Sequence, residues 1–169
     1  MATVLLIPHM DAGDRSRWPG DQDLRSLSEL GRRQAEAIAR ALAGVKLDAL
    51  YSSPAARCTQ TLQPLADRDG LEIEVVTGLR EQQREDEDER AFEARCLGAI
   101  NEIIARAGGG TVAACSHGDV IPAAVKGLAG QHSLPPPEPI RRRGQWYEIS
   151  VEGGELSVVL RPAATHFPR

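Results

Sequence analysis

The sequence predicts an α/β chain folded as a three-layer αβα sandwich, with a mostly parallel central sheet and a C-terminal β-hairpin. Three observations lead there. Short apolar runs near residues 3–8, 47–51, 71–76 and 111–115 alternate with segments of helical period, the pattern of parallel βαβ units. Val4–Ile7 and Val112–Cys115 are apolar throughout, as strands covered on both faces are. Trp146–Val151 and Glu155–Leu160 alternate around Gly153-Gly154, which reads as two strands joined by a tight turn.

The elements follow in order. The first apolar run stops at Pro8, which cannot donate to a sheet ladder, and His9 comes next. His9 therefore lies just past the carboxyl end of a strand, the edge where open α/β sheets bind ligands. A charged loop from about Asp11 to Ser26 carries Arg15, Arg17 and Arg25. A helix then starts: Ser26 with Glu29 fits a capping box, with Ser28 as a rival cap. Ile38, Ala41, Leu42 and Val45 recur at helical spacing, and Gly44 marks the end.

Leu47–Tyr51 is the second strand. Ser53 suits an N-cap and Pro54 a first helical position. The helix that follows puts Cys58, Leu62, Leu65 and Ala66 on one face and ends at Gly70. Arg57 falls in its first turn, where a cation opposes the macrodipole unless an anion is present. Leu71–Val76 is the third strand, followed by Leu79-Arg80-Glu81 and a charged run, Glu85–Arg90, read as a solvated loop or helix start. Phe92, Cys96, Ile100, Ile103 and Ala107 mark a third helix, broken by Gly108-Gly109-Gly110. Thr111–Cys115 runs into Ser116-His117-Gly118-Asp119, and Val120–Leu128 is a fourth helix. His117 thus repeats the setting of His9. A stiff loop around Pro135-Pro136-Pro137 leads to Arg141-Arg142-Arg143, a basic turn within reach of an anionic substrate. The tail after Pro162 reads as poorly anchored.

Composition narrows the functional classes. The 169 residues fit one domain, 1–169, with 41% hydrophobic and 4% aromatic residues, so Ala and Leu fill most of the core. The net charge of −4 provides no basic field for nucleic acid, and no nucleic-acid or membrane partner is expected. Cys58, Cys96 and Cys115 are an odd number in apolar segments, which reads as reduced core thiols. No signal peptide, lipidation motif or membrane span is visible, so a cytoplasmic location is expected.

Two histidines at strand ends with an arginine at a helix start suit phosphoryl chemistry. A neutral imidazole attacks phosphorus and carries the phosphoryl group covalently. The arginine and the second imidazole hold the equatorial oxygens. A carboxylic acid protonates the leaving oxygen and then activates water. Glu81 is the first choice for that acid, with Glu85 and Asp119 as rivals. No metal is called for, since no ligand pair has close helical spacing.

At these residues the chain resembles the histidine phosphatase superfamily, which includes the cofactor-dependent phosphoglycerate mutases and the phosphohistidine phosphatases. His9 matches the phosphorylated histidine. Leu27-Ser28-Glu29-Leu30-Gly31-Arg32-Arg33-Gln34-Ala35 matches the family's LSxxGxxQA segment. Ser52-Ser53-Pro54-Ala55-Ala56-Arg57-Cys58-Thr59-Gln60-Thr61 matches SSPxxRxxQT, Leu79-Arg80-Glu81 resembles the acid segment, and Ser116-His117-Gly118 the second histidine segment. The resemblance covers nearly the whole chain. The compact size is similar to the phosphohistidine-phosphatase type, and Gly13–Asp21 with Gly118–Pro122 to the phosphatase domain fused to some bacterial Nudix hydrolases. It implies a phosphatase without cofactor, with His9, Glu81 and His117 catalytic and Arg57, His117 and Arg15 on the phosphate. The substrate would be a phosphorylated small molecule, nucleotide or phosphoprotein.

Two departures stand out. Pro8 replaces the family's first arginine, and losing such a donor costs about 3–4 kcal/mol of transition-state stabilisation. Arg15, Arg17 or the turn at Arg141–Arg143 are the candidates to compensate. Met10-Asp11 stand where small or basic residues are more usual, and Asp11 would repel an anion if it faced the cleft. The alternative is therefore an impaired relative that binds a phosphorylated ligand or protein partner without turnover.

Overall fold

The computed structural model describes residues 1–169. Six strands form one sheet in the order β3-β2-β4-β1-β5-β6. They are β1 Ala2–Pro8, β2 Ala49–Ser52, β3 Ile73–Val75, β4 Thr111–Ser116, β5 Trp146–Glu152 and β6 Glu155–Arg161. The first four are parallel, whereas β5 runs antiparallel to β1, and β6 to β5. The helices are α1 Glu29–Ala41, α2 Ala56–Asp69, α3 Glu89–Ala107 and α4 Val120–Gln131. None is long and apolar enough to cross a membrane.

The period-2 alternation of β1 divides the core. Val4 and Leu6 pack with α3 and α4, while Leu5 and Ile7 pack with α1 and α2. Helices on both faces of a parallel sheet make the three expected layers. The apolar positions read at helical spacing in α2 (Cys58, Leu62, Leu65, Ala66) and α3 (Phe92, Cys96, Ile100, Ile103, Ala107) are all buried.

Several local expectations change. Ser28, not Ser26, caps α1, accepting from the Gly31 N–H; its hydroxyl also donates to Asp11 Oδ2 (2.5 Å), so cap and loop support each other. Ser53 does not cap α2, whose N-cap is Ala55; the Ser53 hydroxyl is engaged by His117 instead. The third strand shrinks to Ile73–Val75, and α1 ends at Ala41, ahead of Val45. The loop Asp11–Ser26 is shaped by 3-10 turns at Arg15–Arg17 and Gln22–Leu24, each opened by an aspartate cap. The tail is anchored: Phe167 is buried against the α1/α2 face, and the carbonyl of Pro168 accepts from Gln34 Nε2 (2.9 Å).

Candidate active site

Four adjacent strands each deliver one side chain at the carboxyl edge of the sheet. Glu81 follows β3 by way of a 3-10 turn at Thr77–Leu79, Arg57 lies in the first turn after β2, His117 follows β4 and His9 follows β1. The His9 N–H donates to the Ser116 carbonyl (3.0 Å), fixing the two histidine loops to each other. The imidazole rings meet edge-on, with centroids 5.5 Å apart.

The loop after His9 is held by side chains of both helix-start motifs. Met10 N–H donates to Thr61 Oγ1 (3.0 Å) and Asp11 N–H to Gln34 Oε1 (2.9 Å). Leu27 N–H donates to Gln60 Oε1 (2.8 Å). Gly31 lies so close that a Cβ there would come within 1.9 Å of the Asp11 carbonyl oxygen.

His9 Nδ1 is 2.8 Å from the Met10 carbonyl oxygen. A carbonyl only accepts, so Nδ1 carries the proton and Nε2 keeps its lone pair. Burial lowers the His9 pKa from 6.5 to about 4; the bond to Met10 opposes this, and the charges of His117, Arg57 and Arg143 add to it. The ring is therefore neutral at ordinary pH.

His117 and Arg57 are buried. Arg57 Nη2 approaches His117 Nδ1 at 3.3 Å. A guanidinium only donates, so Nδ1 accepts and Nε2–H donates to Ser53 Oγ (2.7 Å). Arg57 Nη1 donates to the Gln22 carbonyl (2.7 Å), while its buried Nε has no acceptor.

Glu81 reaches into the middle of this group. Its Oε2 is 3.3 Å from Arg57 Nη2 and 3.9 Å from His117 Nδ1, and Arg15 grips both its oxygens at 3.1 and 3.2 Å. Burial pushes the Glu81 carboxyl up, but the Arg15 bonds and the Arg57 charge outweigh it and hold the pKa below the usual value. Glu81 is thus an ionised carboxylate resting on the guanidinium groups that an anion would use.

His9, Arg15, Arg57, Glu81 and His117, all singled out from sequence, line one cleft of about 860 Å³. Its lining includes no apolar side chain. The rival acids Glu85 and Asp119 line the same cleft without an ion pair to Arg57 or Arg15, and Asp119 accepts from the Gln82 N–H (3.0 Å). Arg17 points to solvent beside Asp14. Arg141–Arg143 line an adjoining cavity of about 390 Å³ with Pro8 and His9. Asp11 does not line the cleft, because Ser28 and Arg143 hold its carboxylate. Sequence reasoning assigned no role in the site to Ser53, Gln22 or Arg25, which have no local signature beyond their neighbours. No group of three or more His, Cys, Asp or Glu side chains is arranged to hold a metal ion.

The sequence profile of the histidine phosphatase superfamily (branch 1) matches residues 10–93 and 82–162. An 8-oxo-(d)GTP phosphatase of Mycolicibacterium smegmatis is 34% identical over 154 residues, which are 91% of this chain and 46% of that protein. The chain therefore spans about half the length of that relative. YhfR of Bacillus stearothermophilus shares the fold with a TM-score of 0.77 at 20% identity, over 99% of this chain and 100% of that one. A mycobacterial glucosyl-3-phosphoglycerate phosphatase in complex with inorganic phosphate superposes with a TM-score of 0.71 at 23% identity, over 96% and 97%.

Proposed function

The chain belongs to the histidine phosphatase superfamily, and from that premise we propose that it is a phosphohydrolase working through a phosphohistidine intermediate on His9. We take residues 1–169 as one such domain, in the cytoplasm, where buried thiols stay reduced. The observation that carries the proposal is the state of His9. Its Nδ1–H is committed to Met10, and its neutral ring leaves the Nε2 lone pair as nucleophile.

In the first step Nε2 forms a bond to phosphorus while the bond from phosphorus to the leaving oxygen breaks. Arg57 holds the equatorial oxygens and their growing charge, and His117 joins it once the phosphate takes over the Arg57 guanidinium and Nδ1 carries a proton. Glu81 gives the leaving oxygen its proton. It is ionised when it rests on Arg15 and Arg57, but a phosphate that takes over those guanidinium groups removes the causes that hold its pKa down and brings a like charge close. Substrate binding thus raises its pKa and loads it as an acid. In the second step Glu81 takes a proton from water, the water oxygen bonds to phosphorus, and the N–P bond breaks.

Pro8 favours a second reading, binding without turnover, because one guanidinium is missing from the end of β1. Arg15 argues against it, since it brings a second guanidinium to Glu81 beside that of Arg57. The test is p-nitrophenyl phosphate hydrolysis together with mass spectrometry of the quenched protein. The expected result is turnover with an acid-labile phosphate on His9. His9→Ala should abolish both with an unchanged circular dichroism spectrum, and Pro8→Arg should raise kcat/KM about tenfold or more. Equal activity in His9→Ala would refute the mechanism. An inactive natural protein beside an active Pro8→Arg would support the binding reading.

A further inference from the structure

The loop Asp11–Ser26 brings more positive charge into the cleft than one transferred phosphoryl group needs. Arg15 grips Glu81 from the outer side. Arg25 is only 6% exposed yet lines the same cleft. Its Nε donates to Gln22 Oε1 (3.0 Å) and its Nη1 to the Ala12 carbonyl (2.8 Å), which leaves Nη2 for a ligand. Gln22 ties the three arginines together. Its carbonyl accepts from Arg57 (2.7 Å), its side-chain oxygen accepts from Arg25, and its Nε2 donates to the Arg15 carbonyl (3.2 Å).

Like charges held this close work against each other. Burial and the charges of Arg57 and Arg15 push the Arg25 pKa below its usual value. Glu81 alone bridges Arg15 and Arg57. Arg57 and Arg25 are buried, and buried cations are destabilising unless anionic partners meet them. The absence of apolar side chains from the lining also argues that the leaving group is not recognised by apolar burial. Attack from His9 Nε2 sends the leaving group out on the opposite side of phosphorus, where the acid must stand. Arg15 is bound to that acid, and Arg25 feels its charge.

We propose that Arg15 and Arg25, held in place by Gln22, form a second anion subsite for the phosphate next to the one transferred. The substrate class is then an oligophosphate, cleaved at a phosphoanhydride bond. This rests on the phosphohydrolase reading above. In the reaction the bridging P–O bond breaks as Nε2–P forms, and the bridging oxygen leaves on the phosphate held by Arg15 and Arg25. Water then releases orthophosphate from His9.

Two measurements test this. By calorimetry, the His9→Ala variant should bind pyrophosphate about tenfold tighter than orthophosphate, and adding Arg15→Gln or Arg25→Gln should remove that preference. In kinetics, the natural protein should prefer tripolyphosphate to p-nitrophenyl phosphate in kcat/KM, and Gln22→Ala should lower that ratio about tenfold through KM. Arg15 is exposed, so its variant keeps the test valid if Arg25→Gln fails to fold. Equal binding of the two anions, or a preference that survives Arg15→Gln, would overturn the subsite. A pyrophosphate preference in a protein that hydrolyses neither compound would leave the subsite standing and refute the phosphohydrolase reading.

Discussion

Replacing His9 by glutamine should flatten the acid limb of the stability curve. In the folded chain the His9 pKa is about 4, against 6.5 for an unperturbed histidine, the value that applies to the unfolded chain. Between those values the unfolded chain binds a proton that the folded chain refuses. Stability from this group is therefore fully present above pH 6.5 and is lost as pH falls toward about 4. A shift of that size corresponds to about 3 kcal/mol at the low end, of which about 2 kcal/mol should be lost between pH 7 and pH 4.5. Urea unfolding of the natural protein and of His9→Gln at those two pH values isolates the effect, since every other titrating group is common to both. The natural protein should lose about 2 kcal/mol more than the variant. Equal losses, or a His9 ring that titrates near 6.5 by nuclear magnetic resonance, would refute both the buried neutral ring and the nucleophile argued from it.

Glu81→Gln should lower kcat about 10²–10⁴-fold on an alkyl phosphate, which needs a proton on its leaving oxygen, and far less on p-nitrophenyl phosphate, measured by steady-state kinetics on both esters. The same variant should be inhibited more strongly by orthophosphate, because the competing carboxylate is gone from Arg15 and Arg57. Gly31→Ala drives a Cβ into the Asp11 carbonyl and should destabilise the fold by about 1–3 kcal/mol or more in urea unfolding.

The sheet and its covering helices were legible because burial writes a period into the sequence. The doubly apolar runs of β1 and β4 and the helical spacing of α2 and α3 all emerged where expected. His9, Arg57 and His117 were legible because each stands one step past an element boundary that Pro8, Pro54 or an apolar run marks. What stayed hidden depends on contacts across the fold. Ser28 outcompetes Ser26 as cap because its hydroxyl also meets Asp11, seventeen residues away. Ser53 has the sequence of a cap but serves His117, sixty-four residues on. Phe167 is a lone aromatic in a tail without periodicity, and nothing local announces that it packs over Gly144. Gln22 and Arg25 carry no pattern at all, since their role is defined by Arg57 and Arg15.

The proline at the end of β1 follows from the register. The N–H groups of alternate residues point to the same side of a strand, and that of His9 donates to β4. The nitrogen of Pro8 therefore points toward β5, whose pairing with β1 ends at Leu6 and Tyr147. No ladder bond is lost by proline there, so the scaffold places no demand on position 8. The arginine expected at that position would serve the substrate alone, and positive charge lost there can be supplied by guanidinium groups elsewhere in the cleft. The loop Asp11–Ser26 offers two, Arg15 and Arg25, on the side of Glu81 rather than of β1. Moving positive charge from behind the transferred phosphate to beside the leaving group alters which substrates are favoured. On the subsite proposed above, it would weaken the hold on a lone phosphate monoester and strengthen the hold on one whose leaving group is itself anionic.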